Sequence, residues 1–344
     1  MDKTLVISDT HSSMEMLERI FEIEAASGSI DAVLHPGDIG IYDERSLARI
    51  SDRERYLIEK HDDPIHNFFP YIRGDKSFAF PVHAIPGNHE DFDLVDGLQR
   101  GDFSIANLNM LGSESMELIS SNGATIKVMG LGKILPAQLR ETRRSDRKYI
   151  QDVEIESFRS KALAFRPDVL MFHEAPFLSR MTPKGGLSHF GSPAIMDLIT
   201  AISPRLVLCG HMHFEYRITI GETVIIGLGY GAKGRYGVLH EDLGFEWKGV
   251  YESPYPPVTV VLPGEAERPV ARARKIANTS RIALPISGAE MVARFGLEDL
   301  DHEGRKNLGF FFRDLKERID AGETITAEKA WRLAEKFMHD GKLR

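Results

Sequence analysis

The 344-residue chain is 42% hydrophobic and 27% charged, which excludes a disordered or fibrous protein and supports one large domain with an appendage, or two domains. A formal net charge of -8 argues against a general polyanion binder. Cys209 is the only cysteine, so no intramolecular disulfide can form, and no apolar run approaches the ~18 residues of a membrane span; with a start that runs almost directly into a strand, the expected compartment is the cytoplasm.

Leu5-Val6-Ile7-Ser8 reads as a buried strand by its continuous apolar content. Ser12 followed by Glu15 has the form of a capping box, opening a helix that Gly28 closes. Positions 32–34 and 81–85 give a second and third strand, separated by a charged amphipathic helix over 43–61 and a loop containing Pro and aromatic residues. Positions 108–130 read as hairpins around an Asn122-Gly123 turn, and 137–165 as a polar helical stretch. Two more buried strands, 169–172 and 206–208, flank a helix that Ser192-Pro193 opens and that ends near Ser203. Strand, helix and strand alternate, with hairpins later. The fold class is therefore α/β, a two-sheet βαβ sandwich of mixed sheets flanked by helices, with a small α-helical C-terminal extension. A Pro-rich composition shift near Glu252 divides the chain into a domain over 1–262, a linker and basic stretch over 263–285, and the helical extension over 286–344. For that extension, homodimerisation, covering the main domain and gripping a partner stay open.

Five polar segments each follow an apolar strand-like run: Asp9-Thr10-His11, Gly37-Asp38, Gly87-Asn88-His89-Glu90, His173, and Gly210-His211-Met212-His213. In open α/β sheets, ligands bind beyond the carboxyl ends of the strands. Carboxylates, imidazoles and one carboxamide arriving from five strand ends are the donor mixture of a two-metal hydrolase. Any one such residue alone is more often a cap or a hydrogen-bonded core group; the joint placement carries the inference.

The set D-x-H, G-D, G-N-H-E, H and G-H-x-H resembles the calcineurin-like metallophosphoesterase superfamily over residues 1–262. That resemblance implies a metal-dependent phosphoesterase that hydrolyses a phosphodiester, in a nucleotide or nucleic acid, by in-line attack of a metal-bridging hydroxide. It implies that Asp9, His11, Asp38 and His213 hold one metal. Asp38, Asn88, His173 and His211 would hold a second, with Asp38 bridging. The implied cofactors are two divalent or trivalent ions, Mn, Fe or Zn, with Mn the expected choice in vitro; no thiolate is offered to softer metals. His89 is implied to face the substrate and protonate the leaving oxygen. Glu90 either fixes the tautomer of His89 or serves as a helix N-terminal acid. The segment His173-Glu174-Ala175-Pro176 is similar to a His-x-x-Pro stretch of RNA lariat debranching enzymes, with Asp9 where those carry cysteine.

Two other readings stay open. One is a phosphomonoesterase or Ser/Thr protein phosphatase, although Ile39-Gly40-Ile41-Tyr42 lacks the V-D-R-G continuation of protein phosphatases. The other is a non-catalytic binding scaffold with a metal site. The run Gly229 to Gly234 fits G-x-G-x-x-G but leads into a strand, so a tight turn is expected there rather than a dinucleotide site, with Lys233 and Arg235 expected on a solvated loop ahead of any contact with a phosphate. His35 is expected in the core or just behind the ligands, His189 on a loop, and His61-Asp62-Asp63 at a helix end rather than at a third metal. The cationic run of Arg140, Arg143, Arg144, Arg147 and Lys148 is expected as a solvated helix face with i,i+4 pairs.

Overall fold

In the computed structural model the apolar runs become the central strands of two six-stranded sheets. The described residues are 3–112, 115–119, 125–135, 147–182, 186–252, 258–264, 291, 294–295, 311–312 and 325–339. The chain divides into two units, Met1–Arg268 and Pro269–Arg344.

In the first unit, one sheet has the order β14 (Phe245–Gly249), β13 (Arg235–Leu239), β1 (Lys3–Val6), β2 (Ile30–His35), β3 (Val82–Ala84) and β4 (Leu108–Met110). The other runs β11 (Tyr216–Ile220), β12 (Thr223–Gly227), β10 (Leu206–Cys209), β7 (Val169–Phe172), β6 (Thr125–Leu131) and β5 (Ser115–Ile119). Both are mixed: β1 pairs parallel with β2, Val6 opposite Leu34, and antiparallel with β13, Val6 opposite Gly237. A three-stranded sheet of β15 (Val260–Val261), β8 (Leu178–Met181) and β9 (Leu187–Phe190) stands beside them.

Strand periodicity sorts the core into layers. Val6, Leu34, Val169, Met171 and Leu208 meet between the sheets, while their sequence neighbours point outward under helices. Leu5, Ile7 and Val33 pack against Leu17 and Ile20 of α1 (Met14–Ala25). Leu170, Phe172 and Val207 pack against Phe158 of α6 (Asp152–Phe165) and against Ile195 and Leu198 of α7 (Pro193–Ile202). Strands covered on both faces need unbroken apolar sequence, which is why 169–172 and 206–209 carry no polar alternation. Each fully buried Leu, Ile or Val contributes about 1.5–3 kcal/mol, enough to fix which face of a strand is inside.

Four local expectations need correction. Ser12 does not cap α1: its hydroxyl donates to the Gly40 carbonyl at 2.6 Å, Ser13 is the N-cap without a side-chain bond, and Ala26 rather than Gly28 follows the last turn. The single helix expected over 43–61 is two, α2 (Ser46–Arg49) and α3 (Asp52–His61). Ile50 is extended between them, and Ser51 caps α3 by accepting from the Glu54 N–H at 3.2 Å. The aromatic loop beyond them contains a short helix, α4 (Phe69–Arg73), whose Tyr71 joins Phe68 and Phe78 in the core. The polar stretch from 137 is helical only from Asp152 among the described residues. The Asn122-Gly123 turn, the cationic residues Arg140, Arg143 and Arg144, and the basic stretch of the linker lie outside the described residues.

In the second unit, α8 (Ala327–His339) buries Ala330 and Ala334 against Met291 and Phe311, with Trp331 and Phe337 packed alongside. Among the described residues, no helix is long and apolar enough to cross a membrane.

Candidate metal centre

The polar segments leave the carboxyl ends of five strands, three in one sheet and two in the other. Asp9 and His11 follow β1, Asp38 follows β2, Asn88 and His89 follow β3, His173 follows β7, and His211 and His213 follow β10. These strands run parallel to their neighbours, β1–β2–β3 and β7–β10, so their ends share an edge within each sheet.

The loops at that edge are tightly folded. Asp9, His11, Ser12, Asp38, His211 and His213 all hold positive φ, from 44° to 66°, a region that costs a non-glycine residue on the order of 1–2 kcal/mol. Cross-strand bonds hold them there: Asp9 N–H donates to Gly37 O at 3.0 Å, and His11 N–H to Asp38 O at 3.0 Å. Two glycines make the approach possible. A Cβ on Gly87 would lie 2.0 Å from Asp38 Oδ1, and one on Gly37, whose φ is +99°, would lie 2.4 Å from His173 Nδ1.

Asp38 is fully buried. Its Oδ1 accepts from the backbone N–H of Asn88 at 2.6 Å and of His89 at 2.7 Å, which turns Oδ2 inward. His173 Nε2 lies 3.1 Å from that Oδ2 and 3.2 Å from Asn88 Oδ1. The other ring nitrogen, Nδ1, lies 2.9 Å from the Pro36 carbonyl, which can only accept, so Nδ1 carries the proton and Nε2 is left for the centre. His213 Nε2 is 3.1 Å from Asp9 Oδ1, and both Asp9 oxygens accept from His211 N–H at 3.1 Å.

One donor atom from each of Asp9, His11, Asp38 and His213 lies within 4.8 Å of the rest; Asp38, His173 and His211 form a second such group that shares Asp38. Asp38 Oδ2 and both ring nitrogens of His11 are buried with no hydrogen-bond partner. Such atoms are rare in folded proteins and fit a set of donors aimed at cations.

The electrostatics agree. Burial works against charging His173, yet Asp38 and Asp9 outweigh it and push the ring up to about 10. The same contest raises His11, where Asp63, Asp38 and Asp9 oppose burial. It also raises His89 to about 9, through Asp38 and Glu54. His211 goes the other way, to about 4, through burial and the neighbouring His173. Asp38 is held well below the usual carboxylate range despite burial, by His173 and His89. The carboxylates therefore draw positive charge into this volume, and metal cations would supply that charge in place of protons.

Around the donors, the structure departs from the sequence in its partners. Glu90 does not orient His89. Its carboxylate turns back and accepts from Ile39 N–H at 3.0 Å and Ile41 N–H at 2.6 Å, so it clamps the loop behind Asp38. Nor does it cap a helix: Asp91 caps α5 (Phe92–Arg100) by accepting from Asp93 N–H. Burial and Asp38 push Glu90 up to about 8. Glu90→Ala should strand two buried N–H groups at about 1–3 kcal/mol each, while Glu90→Gln, which keeps an acceptor, should lose much less. Urea midpoints of the two variants test this, and equal midpoints would rule out the clamp.

The carboxylate that meets His89 is Glu54, with Oε1 2.6 Å from Nδ1. Asp63 lies 3.6 Å from His11 Nδ1, so 61–63 reaches the centre although its residues do not join the donor groups. Tyr230 stacks on His213, ring centroids 4.2 Å apart, and meets His11 edge-on at 5.5 Å. Nothing in the sequence pattern marks Glu54, Asp63 or Tyr230, because all three arrive from loops and helices far from their partners.

The remaining expectations resolve simply. His35 is buried, bonded through Nε2 to the Thr10 hydroxyl at 3.1 Å, and driven down to about 4 by burial. His189 lies on β9 and bonds the Ser179 hydroxyl at 2.7 Å. Arg235 is paired with Glu215 at 2.7 Å. Gly231–Lys233 is a 3-10 turn leading into β13, as a turn rather than a dinucleotide loop requires. Arg147 pairs with Asp93 and Asp96 on α5 instead of with an i,i+4 neighbour. A cleft of about 310 Å³ opens beside Asn88, lined by Arg49, Ser51, Glu54, Phe92 and Arg147 among others, so the segment inserted between β2 and β3 walls one side.

The family description "calcineurin-like phosphoesterase" matches residues 3–215. The chain is 25% identical over 236 residues to a lariat debranching enzyme of Entamoeba histolytica, across 62% of this chain and 64% of that enzyme, so it spans under two thirds of the relative's length. By fold it is similar to the protein TT1561 of Thermus thermophilus, with 16% identity, TM-score 0.47, and coverage of 72% of this chain and 99% of the other. It is also similar to GAP50, the anchor in the inner membrane complex of Plasmodium, with 12% identity, TM-score 0.46, and coverage of 76% and 87%.

Proposed function

The chain belongs to the calcineurin-like phosphoesterase family, and from that premise we propose that it is a two-metal phosphodiesterase acting on a nucleotide or nucleic acid. The observation that carries this reading is the single buried carboxylate, Asp38, shared by two converging donor groups. The similarity to an enzyme named for lariat debranching supports a nucleic acid diester as the substrate.

Asp9, His11, Asp38 and His213 would hold one ion, and Asp38, Asn88, His173 and His211 the other. When bound, the pair supplies Lewis acidity that activates water and neutralises phosphoryl charge, with Mn, Fe or Zn suited to these donors. The chain's own residues do the rest. The two backbone N–H groups on Asp38 Oδ1 fix which oxygen faces inward, and Pro36 O fixes the tautomer of His173. His89, partly exposed to solvent, donates a proton to the leaving oxygen. Arg49 and Arg147 line the cleft beside Asn88, where the remainder of a diester would lie.

The test is turnover of bis-p-nitrophenyl phosphate against p-nitrophenyl phosphate in Mn2+, with Asp38→Ala as the blank. A diester preference supports the reading and directs the next assay to RNA and cyclic nucleotides. A monoester preference replaces it with a phosphatase. Two bound metals without turnover of either ester replaces it with a binding scaffold. The metal-binding domain is further proposed to be self-sufficient. A chain ending at Arg268 should bind Mn2+ as the full chain does, and insoluble protein would show that the later helices complete its core.

A further inference from the structure

Helix α3 belongs to none of the ligand motifs, yet both of its ends touch the centre. Near its start, Glu54 Oε1 lies 2.6 Å from His89 Nδ1. Just past its end, Asp63 Oδ2 stands 3.6 Å from His11 Nδ1, an ion-pair distance too long for a hydrogen bond. The two rings are neighbours, centroids 5.0 Å apart and tilted by 46°, so one inserted segment brackets an adjacent pair of imidazoles.

The plain alternative is that Glu54 is an ordinary first-turn acid favoured by the helix dipole, and Asp63 an ordinary turn residue. Burial argues against it. Glu54 is 4% exposed and the Asp63 side chain 9%. Helix-end acids gain from the dipole while solvated, whereas a buried carboxylate is costly unless it is paired. Glu54 Oε1 is shared between His89 and the Tyr42 hydroxyl, 3.2 Å away, and Tyr42 is itself buried. The geometry of the helix ends is also fixed. Ser51 caps the start, and Asp62 closes the end in the left-handed region at φ 54°, with Asp63 N–H bonded to Ile58 O at 3.0 Å. Ile58 anchors the segment by packing with Tyr42 and Ile65. Each carboxylate lies on the Nδ1 side of its ring, Glu54 at hydrogen-bond distance and Asp63 at ion-pair distance, which leaves Nε2 to the centre: His11 Nε2 lies 3.7 Å from Asp38 Oδ2.

We propose that helix α3 is a positioning element of the metal centre, with Glu54 orienting His89 and Asp63 orienting His11. The Glu54 bond fixes the tautomer of His89 and turns its Nε2 inward, while the Asp63 charge beside His11 favours a proton on Nδ1 and so strengthens Nε2 as a metal donor. The assignment rests on the two-metal reading above and extends it to residues outside the ligand motifs.

The isosteric variants Asp63→Asn and Glu54→Gln test it in the full chain. By calorimetry, Asp63→Asn should weaken Zn2+ or Mn2+ binding by roughly 10–100-fold, the usual effect of losing an outer carboxylate, with activity returning at saturating metal. Glu54→Gln should leave metal affinity unchanged and lower kcat at constant KM. In the zinc-loaded protein, the hydrogen-bonded Nδ1–H proton of His89, assigned by its absence in His89→Ala, should shift upfield in Glu54→Gln. Arg53→Ala, on the exposed side of the same helix, should leave both the affinity and the proton signal at their wild-type values. If either isostere unfolds, Glu54→Asp and Asp63→Glu displace the carboxylate by one methylene and should move the same readings in the same direction. Wild-type metal affinity in Asp63→Asn together with an unmoved His89 signal in Glu54→Gln would overturn the proposal, as would equal changes in Arg53→Ala. Calorimetry and the proton signal do not require turnover. A protein inactive on every phosphoester would therefore sink the proposed function while leaving these readings decisive for the helix.

Discussion

Asp38→Ala is expected to empty both halves of the metal centre and to lower kcat/KM by at least roughly 10⁴-fold, since neither water activation nor phosphoryl neutralisation survives. The size of the effect follows from sharing. Every other donor belongs to one group, whereas Asp38 belongs to both. Its loss also frees the backbone N–H groups of Asn88 and His89 from Oδ1, so Asn88 loses the contact that fixes its loop. Removing the anion further takes away the charge that raises His173 and His89, so the imidazoles no longer gather around a common partner. The measurement is metal content per chain by elemental analysis after dialysis against Mn2+, together with turnover. Two ions retained at full occupancy would refute the bridging role.

His89→Ala is expected to separate chemistry from metal binding. Metal content should match the wild type, because His89 belongs to neither donor group. The rate should fall by roughly 10²–10⁴-fold, the range for a lost general acid. The loss should depend on the leaving group. A nitrophenolate leaves without help, whereas an alkoxide or ribose oxygen needs a proton, so the deficit should grow as the leaving alcohol becomes less acidic. The side chain's 18% exposure and its place beside Glu54 and Asp38 suit a proton carrier that meets solvent and substrate. A series of diesters with graded leaving groups measures this, and equal losses across the series would exclude proton donation.

Much of the centre is legible in the sequence because strand ends are a local property. An apolar run records burial on both faces, and a polar residue straight after it marks the carboxyl end of that strand. Asp9, Asp38, Asn88, His173 and His211 can thus be placed at one edge of the sheets without knowing how the sheets meet. The glycines of the motifs are legible in kind but not in cause. Only the packed structure shows that Gly87 must lack a side chain because Asp38 occupies the space. Positive φ at six residues of the centre cannot be read from composition, since even Asp and His, which favour that conformation more than most residues, adopt it only in a small minority of positions.

The mismatches share one origin. Adjacency in sequence suggests Glu90 as the partner of His89, but the chain bends at these residues and the Glu90 carboxylate turns back to the Ile39 and Ile41 N–H groups, away from the ring. Ser12 meets the spacing of a capping box, but the helix starts one residue later with Ser13 at its N-cap, and the Ser12 hydroxyl donates instead to the Gly40 carbonyl from the next strand's loop. The helix expected over 43–61 is right in character and wrong in continuity, because Ser51 offers a cap in the middle of it. By itself, then, the sequence determined the strands, the layered α/β class and the set of residues at the strand ends. These follow from the period of the chain and the burial of apolar side chains, which act over a few residues. The tertiary structure alone decided who partners whom: Glu54 reaches His89 across 35 positions, and Glu90 turns to Ile39 and Ile41 across about 50. Such pairings depend on where a helix packs, and packing is settled by the shape of the whole core, which no local pattern encodes.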